Sequence, residues 1–165
     1  MIGVIDCKTG NLQSLLNALE HQKIIYKIIK NSTDFSNEFK IILPGVGSFK
    51  NMMNNLIDLK LYDPLKNFLL SNNHFLGICV GMQILLSEGL EEEVTKGLNI
   101  IDGRVELLNS IELKVPTIGW KPIFLNDDTF NDNEKLLKNI DLKKFYFLHS
   151  YYCNSEINTT LAYSK

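Results

Sequence analysis

The 165-residue chain is poor in cysteine: Cys7, Cys79 and Cys153 are its only three, odd in number and far apart. Without a CxxC spacing they argue against a disulfide framework and against a zinc site. An excess of one charge is missing too. Lys and Arg total 17 and Asp and Glu 19, a net charge of −2. A nucleic-acid binder held by phosphate contacts is therefore not expected. No block of like charge marks a tail or a membrane patch. No apolar run is long enough to span a bilayer. The opening MIGVIDCKTGN has neither the basic region nor the long apolar region of a signal peptide. The three histidines, His21, His74 and His149, are too dispersed to build a metal cluster. No GxGxxG follows a strand, so dinucleotide binding has no support. No metal, cofactor, nucleic acid or membrane is expected, and a reducing cytoplasm fits the cysteines best.

What is present is a 45% hydrophobic content, enough for one globular domain over residues 1–165. IGVID reads as a short buried strand. Leu12, Leu15, Leu16 and Leu19 then share one helical face. KIIYKIIK (23–30) is β-branched and predicts a second strand. FKIILP predicts a third, ending at Pro44. Phe49, Met52, Met53, Leu56 and Leu59 form a second helical face. Asp63-Pro64 predicts a cap with proline at the first helical position, opening a helix to about Leu70. HFLGIC is a fourth strand and VGMQILLSEG a helix behind it. From Gly97 onward the pattern is short strands and turns. The fold class expected is α/β: a mostly parallel central sheet with helices on both faces, plus a strand-rich second half.

Ligands in such sheets bind at the carboxyl ends of the strands. Three unusual stretches fall there: PGVG at 44–47, GICVG at 77–81 and HSYY at 149–152. GICVG has the G-x-nucleophile-x-G form of an elbow. A nucleophile on a sharp strand-to-helix turn needs small neighbours two places away on each side. Amides at the start of the next helix would favour a thiolate, and the Val80 amide would face a reacting carbonyl oxygen. The alternative is a small buried hydrophobe, as free cysteine often is. The flanking glycines favour the nucleophile. In PGVG, an amide such as that of Val46 could join Val80 in an oxyanion hole. Alternatively this is a plain turn, with Ser48 capping the next helix. His21 and His74 lie away from the strand tips. His149 lies at one, among aromatic residues that fit a structural role equally well.

Taken together, GICVGMQ resembles the nucleophile motif of class I glutamine amidotransferases. PGVGSF, DGRVELL, VPTIGWKPI, YFLHSYY and IDCKTGNLQSL extend the resemblance to the glutaminase subunits of imidazole glycerol phosphate synthases, collinearly from Ile2 to about Tyr163. The resemblance implies that Cys79 attacks the side-chain amide of glutamine, forms a glutamyl thioester and releases ammonia. Val46 and Val80 would supply the oxyanion hole, and the PGVG peptide would reorient to complete it. Gly47, Gln83, Glu91, Ser150 and Tyr151 would hold the substrate. Glu91 is also open to reading as part of a solvated acidic loop, EEE at 91–93. Asn11, Trp120 and Tyr146 match positions facing a (β/α)8 cyclase or synthase partner in a heterodimer. Their plain alternatives are a helix cap, a core indole and a core phenol. Ammonia would pass directly to the partner, because in water at neutral pH it is protonated and stops being a nucleophile.

The chain departs from the family pattern in two places. Cys7-Lys8 stands where the family has an aromatic residue and glycine, which predicts a differently placed first loop. The family's base and orienting acid lie in an HPE motif beyond HSY, and the 165 residues contain no HPE. The resemblance therefore implies an amidotransferase domain lacking its C-terminal end, nearly inactive as a glutaminase by itself. Three other functions stay open at this point. One is a related subunit amidating a bacterial surface sugar. Another is a non-catalytic partner-binding subunit. The third is a different elbow-cysteine protein, such as a thiol hydrolase or redox sensor.

Overall fold

A computed structural model describes residues 1–35, 40–108, 115–126, 143–155, 157 and 160–164. The first half builds a parallel sheet. Its strands β1 (Ile2–Ile5), β2 (Tyr26–Ile29), β3 (Lys40–Gly45) and β4 (Phe75–Cys79) lie in the order β2-β1-β3-β4. Side chains alternate across it, as strand geometry requires. Val4 and Ile42 face α1 (Leu12–His21) and meet its buried Leu16 and Leu19. Ile5, Ile41 and Leu43 face the other way, onto α2 (Phe49–Asp58) and α3 (Tyr62–Leu70). Helices thus cover both faces, as the alternating pattern predicts. Coverage stops short of the edge strand β4, where Leu76 is 54% and Ile78 40% exposed.

The rest of the chain adds strands. β5 (Leu86–Gly89), β6 (Thr95–Lys96), β7 (Ile101–Leu107) and β11 (Tyr151–Ser155) form a mixed sheet ordered β11-β7-β5-β6. β8 (Thr117–Pro122) and β10 (Lys144–His149) pair as an antiparallel ribbon, and β9 (Phe124–Leu125) pairs with β12 (Ala162–Tyr163). Ile84, Leu86, Leu98 and Val105 join the α2–α3 core. None of the described helices is long and apolar enough to cross a membrane.

Three local expectations need correction. The helix expected over VGMQILLSEG is one turn, α4 (Val80–Gln83), followed by a strand. The carbonyls of Ile84 and Leu85 accept from Leu98, Ile100 and Ile101 instead of from residues four places on. A short apolar run suits either state, and the pull of β7 decides it. The second strand starts at Tyr26, not at Lys23. Lys23 takes φ 56° and closes α1, donating to the Glu20 carbonyl. Asp63 does not cap α3. Leu61, fully buried, holds the cap position, donating to Leu56 and accepting from Leu65. Pro64 falls in the first turn, where a missing N–H is harmless.

The first loop carries Cys7-Lys8 in two different settings. Lys8 adopts φ 56°, a left-handed conformation that suits glycine, and its amide donates to Asp6 at 3.0 Å. Cys7 is buried, and its carbonyl accepts from Asn55 at 2.8 Å.

Phe49 ties the two halves together. It is 1% exposed, and its ring occupies the space that a Cβ on Gly89 or Gly97 would need. Phe49→Ala is expected to cost about 3–5 kcal/mol through the cavity it leaves. Ile57→Ala, on the exposed face of the same helix, should stay within about 0.5 kcal/mol. Urea midpoints of the two variants would separate these outcomes.

Candidate active site

β4 carries Cys79 to the carboxyl end of the parallel sheet, in register with Gly45 at the end of β3. The cysteine is exposed, with φ 54° and ψ −116°. This lies far from the ordinary regions for an L-residue. The elbow survives because its neighbours lack side chains. A Cβ on Gly77 would stand 2.5 Å from the Gly81 carbonyl oxygen, and one on Gly81 would overlap the Leu43 carbonyl. The two glycines that bracket Cys79 in the sequence thus answer to two close approaches: Gly77 lets α4 fold back on β4, and Gly81 lets α4 lie against β3. Val80 opens α4, so its amide has no acceptor within the helix.

Beside the elbow, Gly47 has φ 121° with open space around it. Only glycine adopts that backbone without strain, so the loop's freedom resides there. Ser48 caps α2 as its position predicts, accepting from Asn51 at 3.3 Å.

Val46, Gly47, Cys79 and Val80 line one cleft of about 370 Å³, with Gln83, Glu91, Ser150 and Tyr151 on its other walls. Every residue expected to act on substrate is therefore brought together, although they span 106 positions of sequence from 46 to 151. Gln83 is 7% exposed and makes a long contact, 3.5 Å, to the Tyr151 carbonyl. The same carbonyl lies 3.0 Å from His149 Nδ1. A carbonyl can only accept, so Nδ1 carries the proton. Among the described residues no hydrogen bond joins His149 to Cys79. Glu91 is not merely solvated: its carboxylate accepts from the Phe49 amide at 2.9 Å. A separate polar cleft of about 480 Å³, near Glu88, Asp102 and Arg104, contains neither cysteine nor histidine.

Residues 3–163 match the family described as glutamine amidotransferase class-I. The chain belongs to this family.

Among curated amidotransferase relatives, the chain is 40% identical over 162 residues to an imidazole glycerol phosphate synthase subunit HisH of Leptospira borgpetersenii. That alignment covers 94% of this chain and 76% of the relative. A subunit HisH 1 of Campylobacter jejuni is 41% identical over 161 residues, covering 94% and 78%. Among solved structures, one described as a glutamine amidotransferase superposes with a TM-score of 0.70 at 15% identity, over 98% of this chain and 79% of that one. The Trypanosoma brucei CTPS glutaminase domain with bound acivicin gives 0.55 at 14% identity, over 93% and 67%. At such identities these two structures speak for the amidotransferase fold alone.

The three other positions singled out do not line this cleft, although Tyr146 lines an adjoining one that also contains Cys79. Trp120 and Tyr146 face each other across the β8–β10 ribbon, edge to face at 5.7 Å between ring centroids. They are 68% and 55% exposed, so neither is a core residue. Asn11 holds the cap position of α1 at φ 57°, but its side chain makes no capping bond.

Several wall residues lay beyond those expected, Leu148 and His149 among them. Pro116 lines the Cys79 cleft through packing that leaves no local sequence signal. Cys153 lines an adjoining cleft of about 380 Å³ that also contains Cys79. A signal for Cys153 existed, since it stands two places after Tyr151 in a strand and so shares its face. Burial, and then the nearby Cys79, push the Cys153 thiol up to about 11. Burial, and then Asp6, push Cys7 up to about 12.

At pH 8 a thiol near 12 is ionised to only about one part in ten thousand. Iodoacetamide should accordingly modify exposed Cys79 at least about tenfold faster than Cys7 or Cys153. Peptide mass spectrometry over a time course would show the order, and equal rates at the three thiols would contradict it.

Proposed function

We propose that the chain is the glutaminase subunit of an imidazole glycerol phosphate synthase, an amidotransferase domain acting in histidine biosynthesis. The single observation that carries the chemistry is the strained, exposed Cys79 sharing a cleft with Val46, Gly47, Val80, Gln83 and Glu91. The pathway is supported by the HisH relatives at about 40% identity, of whose length the chain spans roughly three quarters.

In this mechanism the sulfur of Cys79 attacks the side-chain carbonyl carbon of glutamine. The oxygen becomes an oxyanion, and the amides of Val46 and Val80 are the donors nearest by chain position. Gly47 gives the 46–47 peptide the freedom to turn toward it. Collapse breaks the carbon–nitrogen bond, the nitrogen leaves as ammonia carrying the thiol's proton, and water then releases glutamate from the thioester. Gln83 and Glu91 hold the head group, and the Ser150–Tyr151 backbone holds the amide.

Ammonia passes to a (β/α)8 cyclase, the lyase half of a heterodimer, before solvent can protonate it. Asn11, Trp120 and Tyr146 face that partner. The exposed, mutually packed rings of Trp120 and Tyr146 support this, since aromatic anchors dominate binding energy at such contacts. Free cysteines support a cytoplasmic setting.

Two outcomes are expected. In the complex with the synthase, acivicin should add to Cys79, and Cys79→Ala should abolish that labelling. If Cys79 stays unlabelled even in the partner-bound protein, the glutaminase assignment fails. Trp120→Ala should weaken partner binding by about 30-fold, the effect of a 2 kcal/mol hot spot, with the melting temperature unchanged. Titration calorimetry and a thermal scan would check both.

A further inference from the structure

The first turn of α2 is gripped by the acidic loop at two adjacent positions. Glu91 accepts from the Phe49 amide at 2.9 Å. Lys50 pairs with Glu93 at 2.6 Å. The loop is itself held: the Glu93 amide donates to the Glu91 carbonyl at 2.6 Å, and the Leu90 amide to Val105 at 2.9 Å. The two grips differ in kind. Lys50–Glu93 is an exposed ion pair, with both side chains about half open to water, and such pairs contribute little. Glu91 is partly buried and meets an amide that no helical carbonyl can serve. Its bond is charge-assisted and sits at the positive end of the helix.

Phe49 is an unusual place to hold. Its ring is locked in the core against Gly89 and Gly97, and Gly47, two residues earlier, is the free joint of the loop. The Glu91 carboxylate therefore sits where fixed backbone meets adjustable backbone. It also lines the cleft with Val46, Gly47 and Cys79. Among the described residues only its Oε2 is engaged in a hydrogen bond.

We propose that Glu91 is a positioning residue: its carboxylate, bound to the Phe49 amide, steadies the 46–48 backbone that lines the cleft beside the nucleophile. One oxygen holds the loop while the other is left for a cationic group of the substrate. Occupation of the cleft and the setting of the loop then share one carboxylate. The kinetic consequence rests on the glutaminase function above, whereas the backbone consequence does not.

The test compares Glu91→Gln, which keeps an oxygen acceptor for Phe49 but loses the charge, with Glu91→Ala, which loses both. Glu93→Gln, which removes only the exposed pair, is the control. Amide hydrogen exchange over residues 45–51 is expected to rise roughly tenfold or more in Glu91→Ala, the loss of one charge-assisted hydrogen bond. It should rise by no more than about threefold in Glu91→Gln and not at all in Glu93→Gln. In glutamine hydrolysis by the synthase complex, Glu91→Gln should raise KM with kcat nearly kept, and Glu91→Ala should lower kcat as well.

Unchanged exchange in Glu91→Ala would overturn the proposal, as would equal kcat losses in both variants without a difference in exchange. If Glu91→Ala does not fold, Glu91→Asp takes its place, since its shorter arm keeps the charge but loses the reach to Phe49. Its exchange must then exceed that of Glu91→Gln. If acivicin does not label Cys79 in the unaltered complex, the glutaminase function falls, and the exchange comparison alone decides the role of Glu91.

Discussion

The site depends on one contact between backbones: Gly81 at the start of α4 pressed against the carbonyl of Leu43 in β3. A side chain on either bracketing glycine would push the turn away from the sheet. The cysteine between them would then relax toward an ordinary strand geometry and lose its outward aim. Everything else at the cleft is placed relative to that approach. β3 ends at Gly45 directly beside Cys79, so the 46–47 loop leaves the sheet next to the sulfur. The same short turn swings the chain into β5 and thereby brings Gln83 under the cleft.

The cleft is shared between two sheets. Cys79 and Val46 hang from the parallel sheet, whereas Tyr151 begins a strand of the mixed one and Glu91 follows another. Phe49 is the peg between them, its ring fitted against two glycines that flank β5 and β6. The walls of the cleft thus come from different layers, joined by one buried aromatic residue.

Much of this was legible beforehand, for identifiable reasons. The parallel strands and the α1 and α2 faces follow from periodicity, and their cores contain the residues that periodicity selects, such as Leu16, Leu19, Met52 and Leu56. The elbow was legible because sterics allow few sequences there. The fate of Ile84-Leu85-Leu86 was not, because an apolar triplet is silent about helix or strand until the amides of residues 98–101 claim its carbonyls. Leu61 outranked Asp63 as the start of α3 because complete burial of a leucine outweighs a capping preference. For Trp120 and Tyr146 the sequence left core and surface undecided, since apolar bulk looks the same in both settings. Their exposure on a two-stranded ribbon resolves it.

Left-handed backbone appears at Lys8, Lys23 and Lys60 and at Asn11, Asn72 and Asn99. All are turn positions where glycine is the usual occupant. Glycine is found at 45, 77, 81, 89 and 97, where a methyl group would strike a neighbouring atom. Glycine thus serves two ends: proximity at these five positions, and a left-handed backbone at Gly10, Gly47 and Gly119, where a Cβ would meet nothing. Left-handed torsion therefore occurs both at peripheral turns and at the sulfur-bearing Cys79 itself. The peripheral turns leave room for a side chain, whereas the packed glycines do not.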